Sequence, residues 1–502
     1  MTLPAENSSI SSAGRVQGKI DKGRVMQFSS LFFIAVFLPV YLTVYICAPE
    51  IQKKNRALLL ASLIFYAFGG IQYLFLLLIM TAVGWIMGIR MTQNERFPMR
   101  KKLDLILSVA VFLSVLGIFK YSGFFGTSLN QLFHTNIKVL KVAMPLGISF
   151  YTFKLISYIA DVYTGKIGAE NKYANLLLYT ACFHHVLQGP IIRYGDLLPQ
   201  ITERNCSWQS LSAGIWRFCI GLSKKTLLAD HCGELADNLL PLGGSVSAMP
   251  VTGIWLGSVC FTLQMYLDFS AYTDMAIGLG QMAGFRYMEN FNYPYLADSV
   301  KDFWRRWHIS LSTFFRDYVY IPLGGNRKGE KRTVLNLLAV WALTGLWHGA
   351  SWNFVLWGLF YFAFLLLERY LTRKGMFQWN PVLKHVYAIF VFNLGWIFFR
   401  FSDFGQLGAA LKGFFGITSA GFSSSAVAIS FENNIFFLIF SILACTPVFR
   451  MLGRRLRWLF QERRWNKGII FGTKTVLAIL LLALSVIALT GSSFRPFLYN
   501  QF

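Results

Sequence analysis

The sequence carries little charge for its length, and acidic residues are the scarcer kind. Charged residues make up 14% of the 502 residues, with 23 Asp and Glu against 47 Lys and Arg. Soluble domains carry about 25% charged residues, and no polar stretch here is long enough to fold alone. The hydrophobic content of 55% instead predicts a polytopic membrane protein.

Cysteine pairs and an export signal are also missing. The seven cysteines show no Cys-x-x-Cys spacing and mostly sit in apolar stretches. We therefore expect buried free thiols, with neither a disulfide nor a metal site. Residues 1–25 are polar and lack the charged region, apolar core and cleavage site of a signal peptide. We expect a disordered tail there, or a translation start at Met26.

Long apolar runs fill most of the remaining sequence. Only helices and closed barrels span a bilayer, and runs without alternation favour helices. Counting the weaker runs between residues 140 and 228, we expect about 11–13 crossings. The clear runs are Ser29–Cys47, Ala57–Phe68, Tyr73–Ile89, Leu105–Phe119, Val251–Phe269, Ser351–Leu367, His385–Phe399, Ile435–Phe449 and Val476–Thr490.

The net charge of +24 suggests a nucleic-acid partner, but its distribution argues against one. Basic residues gather between apolar runs, whereas 69–72 and 403–432 hold almost none. This alternation is the positive-inside pattern, with the basic loops in the cytoplasm. It predicts a lipid bilayer as the partner and a C-terminus on the outer face. The basic clusters lie at 53–56, 90–102, 327–332, 369–384 and 450–467.

The chain ends in Phe497-Leu498-Tyr499-Asn500-Gln501-Phe502, shortly after an apolar run. A phenol bracketed by aromatic residues at a membrane face is either an aromatic-belt anchor or a hydroxyl that accepts a group. The residues alone leave both interpretations of Tyr499 open.

Polar residues inside apolar runs are expensive and are therefore functional candidates. Asp268, Ser270 and Asp274 interrupt one such run, and Asn290 begins an aromatic turn just after it. Gln188 and Pro190 are expected to line a pocket.

A mixed aromatic and basic segment follows at residues 302–327. Phe303, Trp307 and Leu311 recur at helical spacing, which predicts one amphipathic helix lying in the cytoplasmic interface. The glycines of Pro322–Arg327 predict a flexible loop that can approach a phosphate or a carbonyl closely. For each arginine, the alternative is that it only follows the positive-inside rule. The expected donor-binding residues are Asp302, Trp304, Arg305, Arg306, Trp307, Arg316, Asp317, Asn326, Arg327 and Trp347.

Two histidines of this region are candidate general bases. His348 ends an apolar run beside Trp347, and His308 lies among tryptophans. A neutral imidazole in dehydrated surroundings can take a proton from a hydroxyl group. The alternative for each is a structural hydrogen-bonding role.

These motifs carry a resemblance that covers nearly the whole chain from Met26. The Asp302–Ser312 and Phe315–Arg327 stretches and the Trp347-His348-Gly349 triplet together resemble the membrane-bound O-acyltransferase family. The stretches most similar to its bacterial alginate O-acetylation branch are Phe28–Phe33, Met144–Phe153, Gln188–Tyr194 and Ile321–Arg327.

The resemblance implies an all-α bundle with interfacial or re-entrant helices around a central funnel. In such a bundle an acyl group moves from a thioester donor on the cytoplasmic side to a hydroxyl. The resemblance implies His348 as the base, and for His308 it leaves positioning, tunnel lining and carbonyl polarisation open. It also implies a multi-pass protein of the bacterial cytoplasmic membrane, no bound cofactor, and acetyl-CoA or another acyl-thioester as donor. The Pro322–Arg327 loop, absent from D-alanylating relatives, favours acetyl.

The terminal hexapeptide resembles the Phe-x-Tyr-x-x-Phe motif that ends small partner peptides of D-alanylation systems. This likeness implies that Tyr499 is a relay acceptor for the acyl group. An extracytoplasmic SGNH-type, serine esterase-like partner would then move the group to a polysaccharide, whose identity stays open.

We expect three parts: the tail 1–25, a membrane domain 26–470, and a C-terminal helix with the acceptor motif, 471–502. Three alternatives remain at this point. One is a transporter or flippase with Asp268, Asp274 and His348 as coupling residues. The second is a D-alanyl transferase for teichoic acid, and the third a scaffold that recruits the outer partner.

Overall fold

The computed structural model describes residues 26–139, 142–243, 246–462, 467–491 and 495–498. The regular structure of these residues is helical throughout, which confirms the all-α prediction. The tail 1–25 and Tyr499 lie outside the described residues.

Within the described residues, the first half of the chain forms ten α-helices, interrupted by π-turns at Phe33–Phe37, Gly117–Tyr121 and Lys224–Ala229. The helices are α1 Leu38–Cys47, α2 Ile51–Ala67, α3 Ile71–Gln93, α4 Pro98–Leu116, α5 Ser122–Phe133, α6 Ile148–Tyr163, α7 Tyr173–Ala181, α8 Tyr194–Thr202, α9 Trp208–Ser223 and α10 Asp230–Leu239.

The second half adds ten more, with a further π-turn at Arg316–Tyr320. They are α11 Val251–Met282, α12 Val300–Arg306, α13 Ile309–Phe315, α14 Glu330–His348, α15 Trp352–Arg373, α16 Pro381–Arg400, α17 Phe404–Phe414, α18 Ser425–Ala444, α19 Val448–Glu462 and α20 Lys467–Gly491. The predicted run Ile435–Phe449 is wrong as a single unit. Helix α18 begins ten residues earlier, and the chain breaks before Pro447 to start α19.

Six helical segments of the described part are long and apolar enough to cross a bilayer. They are Ile71–Gln93, Pro98–Phe133, Trp352–Arg373, Pro381–Arg400, Ser425–Ala444 and Phe471–Gly491. Their outer faces leave large apolar side chains exposed, such as Phe436 at 86%, as a lipid-facing surface does. The chain is therefore a multi-pass membrane protein, while the predicted total of about 11–13 crossings stays a prediction. Of the seven cysteines five are buried, whereas Cys47 is exposed.

Helix α11 is the centre of the bundle and packs against α9, α10, α16, α17 and α18. Its approach to α9 depends on glycine. A Cβ added at Gly221 would lie 2.7 Å from the carbonyl oxygen of Ala271, and one at Gly214 would lie 2.5 Å from that of Gly278. Small residues let helix backbones approach this closely, so the positions of polar groups on α9 and α11 are fixed relative to each other.

The same device joins α14 to α15. A Cβ at Gly345 would lie 2.3 Å from the carbonyl oxygen of Phe354, and one at Gly358 would lie 2.3 Å from that of Trp341. His348, the last residue of α14, is therefore held close to the start of α15.

Candidate active site

His348 lies in a buried aromatic environment at the C-terminal end of α14. Its side chain is 4% exposed. Its ring centroid lies 4.8 Å from that of Trp357 and 5.5 Å from that of Phe399, both in edge-on contact. The imidazole thus sits in a dehydrated place, as a base that must avoid competing water requires.

His308 is also buried, at 0% exposure, but it does not lie in a continuous helix. The predicted single helix over 302–312 is wrong, because the chain breaks between α12 and α13 at Trp307 and His308. His308 adopts the left-handed conformation, with φ of +44°. Such backbone is costly for a residue with a Cβ and persists only where its surroundings enforce it.

Asn290 holds this turn in place by accepting hydrogen bonds from the residues that follow His308. Its side-chain oxygen accepts hydrogen bonds from the backbone N–H of Ser310, at 3.1 Å, and from the Ser310 hydroxyl, at 2.8 Å. Its backbone oxygen accepts from Ile309 N, at 2.9 Å. A backbone N–H can only donate, so the amide oxygen, and not the amide nitrogen, faces this turn.

The same oxygen selects the tautomer of His308. It lies 3.3 Å from His308 Nδ1, and because it can only accept, a neutral His308 carries its proton on Nδ1. His308 Nε2 is then a lone-pair acceptor, and it has no hydrogen-bond partner among the described residues. Of the three roles left open for His308, polarising a carbonyl through Nε2–H does not fit this neutral tautomer.

The Trp347 indole connects the two histidines. Its ring centroid lies 5.6 Å from that of His308 and 5.1 Å from that of His348. Its far side packs against Phe150 and Phe153 of α6, at 5.4 and 5.7 Å. The structure therefore brings the three predicted site residues His308, Trp347 and His348 together, although they come from two separate elements.

Aromatic side chains with unused hydrogen-bond donors line the side of the site nearest α12. The Trp304 ring lies 5.4 Å from Trp357 and 4.9 Å from Tyr361. Nε1 of Trp304, Nε1 of Trp357 and the Tyr361 hydroxyl are buried without an acceptor among the described residues. Buried donors normally find an acceptor, so these three are suited to the oxygen atoms of a bound molecule.

Lys120 is a site residue that the sequence analysis missed. Its Nζ donates to the carbonyl oxygen of Trp347, at 2.5 Å, and to Ser149 Oγ, at 3.4 Å. The signal was present, because Lys120 directly follows the apolar run Leu105–Phe119 and a lysine within a spanning segment is a functional candidate.

The sequence was compared with known proteins. The model of the MBOAT, membrane-bound O-acyltransferase family matches residues 169–402, which include both histidines. A protein of Azotobacter vinelandii named "Probable alginate O-acetylase AlgI" is 36% identical over 506 residues, covering 95% of this chain and 100% of that protein. The peptidoglycan O-acetyltransferase of Helicobacter pylori is 32% identical over 519 residues, covering 95% and 98%.

The chain belongs to the membrane-bound O-acyltransferase family. The predicted family and enzyme class are thereby confirmed, and the chain is an O-acyltransferase. The teichoic acid D-alanyltransferase of Bacillus subtilis is a more distant relative, 27% identical over 47% of this chain and 62% of that protein.

In this acyltransferase the predicted basic rim consists largely of paired charges. Asp302 accepts from Arg306 Nε at 2.7 Å and also pairs with Arg305. Asp317 accepts from Arg316 Nε at 2.7 Å and also pairs with Arg193. Burial raises the pKa of Asp317, but the hydrogen bonds from the two arginines prevail and hold it below its usual value.

The predicted loop at 322–327 forms a turn that a side chain of α14 anchors. Asn336 Nδ2 donates to the carbonyl oxygen of Gly325, at 2.9 Å. Asn326 and Arg327 are exposed. The structure therefore places them on the surface, apart from the buried histidines, and their role in donor binding stays a prediction.

Asp268 and Asp274 each form an ion pair with one of two consecutive lysines. The π-turn after α9 directs Lys225 to Asp268, at 2.8 Å, and Lys224 to Asp274, at 2.5 Å. Lys224 also approaches Ser270, at 3.4 Å. Neither aspartate forms a hydrogen bond or ion pair with His308 or His348 among the described residues. Phe269, next to Asp268, nevertheless contacts His308, with ring centroids 4.9 Å apart.

Gln188 and Pro190 are buried beside α11. Their segment lies against Tyr272 of α11, because a Cβ at Gly189 would be 3.7 Å from that ring. Tyr272 in turn contacts Phe497, with ring centroids 5.1 Å apart. Tyr272 thus lies between this segment and Phe497, while the pocket-lining role of Gln188 and Pro190 stays a prediction.

Proposed function

We propose that this enzyme moves an acetyl group from a cytoplasmic acyl-thioester, such as acetyl-CoA, towards a polysaccharide outside the cell. Relatives that cover nearly the whole chain are named for O-acetylation of alginate and of peptidoglycan. The D-alanyltransferase match covers only 47% of the chain. Acetyl is therefore favoured over D-alanyl, and a polysaccharide hydroxyl is the final acceptor.

The observation that carries the mechanism is the burial of His348 beside Trp347 and Trp357. In the proposed step His348 takes the phenolic proton of Tyr499, and the phenoxide attacks the thioester carbonyl carbon. The C–S bond breaks, the thiolate leaves with the proton that the imidazolium returns, and an aryl acetate remains on the enzyme. Phenoxide, the conjugate base of an acid with pKa about 10, is a better leaving group than an alkoxide.

The acetyl group then leaves the enzyme on the outer face. A serine hydroxyl of an extracytoplasmic SGNH-type, esterase-like partner attacks the aryl ester, and Tyr499 regains its proton. The alternation of basic and neutral loops supports this orientation, because it assigns the C-terminus to the outside. The Phe-x-Tyr-x-x-Phe pattern of residues 497–502 supports Tyr499 as the acceptor.

Mass spectrometry of purified protein mixed with labelled acetyl-CoA tests this proposal. We expect one acetyl group on the C-terminal peptide when the partner is absent, and none in Tyr499→Phe or His348→Ala. Tyr370→Phe is the matched control, since Tyr370 is 57% exposed on α15, and it should retain labelling. Label on Tyr499 in His348→Ala would overturn the base assignment. Unchanged polymer acetylation by Tyr499→Phe would reduce the hexapeptide to an aromatic-belt anchor.

A further inference from the structure

The C-terminal segment 495–498 packs against the bundle, with Phe497 buried and the other three residues half-buried. Phe497 is 0% exposed. Its ring contacts Tyr272, and Tyr272 stacks on Phe28 from the other end of the chain with ring centroids 4.8 Å apart. Leu498 packs against the large buried cluster that includes Trp304 and Trp357. The segment therefore contacts Tyr272, which stacks on Phe28, on one side and the buried cluster around Leu498 on the other.

A buried ion pair binds the backbone of this segment. Asp268 Oδ2 accepts a hydrogen bond from the backbone N–H of Leu498, at 2.8 Å. Lys225 Nζ donates to the carbonyl oxygen of Pro496, at 3.5 Å, and lies 4.8 Å from the centre of the Phe497 ring. The pair thus contacts three consecutive residues: the carbonyl oxygen of Pro496, the ring of Phe497 and the backbone N–H of Leu498.

Lys225 and Asp268 are in direct contact with each other and shielded from solvent. The side chains of Lys225 and Asp268 are 2% and 3% exposed and lie 2.8 Å apart. Lys225 also pairs with Asp230, at 2.6 Å. A buried ion pair is seldom retained for stability alone, because an apolar pair of similar volume is often as stable. Its backbone contacts give this pair a further use.

A second ion pair fixes the other end of the segment. Arg495 Nη1 donates to Asp237 Oδ2, at 2.9 Å, and Asp237 also pairs with Arg400, at 2.9 Å. From Asp237 to Asp230 is seven residues of α10, or about 10 Å. Three residues of extended chain also span about 10 Å. The segment therefore spans from the Asp237 ion pair on α10 to the Lys225–Asp268 pair, which Asp230 of the same helix joins through Lys225.

We propose that Lys225 and Asp268 form a clamp that seats the C-terminal segment and so fixes where the following residue, Tyr499, enters the active site. Asp268 precedes Phe269, whose ring contacts His308, so the carboxylate of the clamp and the ring that contacts the histidine lie in one turn of α11. The positioning role rests on the relay proposed above, whereas the clamp itself does not. Lys225 and Asp268 are positioning residues, since neither touches a reacting atom.

Hydrogen–deuterium exchange of the C-terminal peptide in the purified full-length protein tests the clamp. We expect the Lys225→Met, Asp268→Leu double variant to keep its fold while the 495–502 peptide exchanges at least about tenfold faster than in the wild type. The matched control is Lys224→Met, Asp274→Leu, which removes the neighbouring pair on the same two elements. That control should leave the exchange of the peptide unchanged. Equal exchange in the clamp variant and the wild type overturns the clamp.

The rate of Tyr499 acetylation tests the positioning role. We expect the clamp variant to lower this rate at least tenfold at saturating donor, with the KM for acetyl-CoA unchanged. Leu498→Pro removes the N–H that Asp268 accepts together with the Leu498 side chain, so it should act likewise. Leu498→Ala removes the same side chain but keeps the N–H, and it should lose less. A normal rate in Leu498→Pro overturns the positioning role. Fast peptide exchange in the clamp variant together with an unlabelled wild-type Tyr499 overturns the relay and leaves the clamp standing.

Discussion

Replacement of Asn290 by alanine gives a sharp test of the site geometry. The substitution removes the oxygen that accepts from Ser310 N, Ser310 Oγ and His308 Nδ1. The Ser310 hydroxyl can rotate to another acceptor. The backbone N–H of Ser310 cannot, and it is left buried without a partner.

The magnitude follows from these contacts. One orphaned buried N–H costs about 1–3 kcal/mol of folding free energy, which is tolerable for a protein of this size. We expect the relative loss of activity to be larger than the relative loss of stability. With the Asn290 side chain gone, the nearest polar atom to His308 Nδ1 is the more distant Ser310 hydroxyl, at 3.5 Å, and the left-handed backbone of His308 loses the side-chain part of its support. A displacement of about 1 Å at a reacting group lowers a rate by about 100-fold, so we expect a loss of that order per folded molecule.

The assay is acetylation of Tyr499, or of the polymer in cells, normalised to the folded fraction measured by thermal unfolding. Asn393→Ala is the matched control. Asn393 is 3% exposed, donates to Ser258 Oγ at 3.1 Å and accepts from Thr262 Oγ1 at 2.8 Å. It should lose similar stability but keep its activity. If the two variants lose activity equally, Asn290 supports the fold and not the histidine.

Two further predictions concern stability. Gly345→Ala should lower the free energy of unfolding by about 1–3 kcal/mol, because its Cβ would lie 2.3 Å from a carbonyl oxygen of α15. Gly472→Ala is the control: its Cβ would have nothing within 4 Å, so it should be neutral or stabilising by up to about 1 kcal/mol. Thermal unfolding measures both variants, and equal effects would contradict the close-packing argument. The lowered pKa of Asp317, held by Arg316 and Arg193, stabilises the fold above the ordinary aspartate pKa of about 4 and is lost as pH falls through the lowered value. Asp317→Asn should therefore be less stable than wild type at pH 7 and converge with it in acid, and a constant difference across pH would refute this sign.

Local sequence predicted the helices well, because hydrophobicity and length are properties of consecutive residues. The runs Tyr73–Ile89 and His385–Phe399 became the cores of α3 and α16. It could not predict the break at His308, where spacing indicated one helix. The conformation there depends on Asn290, 18 residues away, and a tertiary contact overrides local propensity.

The candidate site also has features that could be predicted from the sequence and features that could not. His308, Trp347 and His348 were identified from the sequence because a polar group among apolar residues is visible as such. The role of Lys120 was not, since its acceptor, the Trp347 carbonyl, is 227 residues away. The sequence marks Asp268 and Asp274 as polar residues in an apolar run, but their partners depend on a π-turn that directs two consecutive lysines to carboxylates six residues apart on another helix.

That pairing also bears on the transporter alternative. A coupling carboxylate in a transport cycle must exchange its partner, which requires its helix to slide or tilt against the neighbouring one. Here both carboxylates of α11 are held by lysines that follow α9, and the two helices are in glycine contact, with a Cβ at Gly221 only 2.7 Å from a carbonyl oxygen of α11. Packed backbones at this distance do not deform continuously. The charges of α11 therefore serve a fixed geometry and not a transport cycle, and a cysteine cross-link between α9 and α11 should leave acetylation intact.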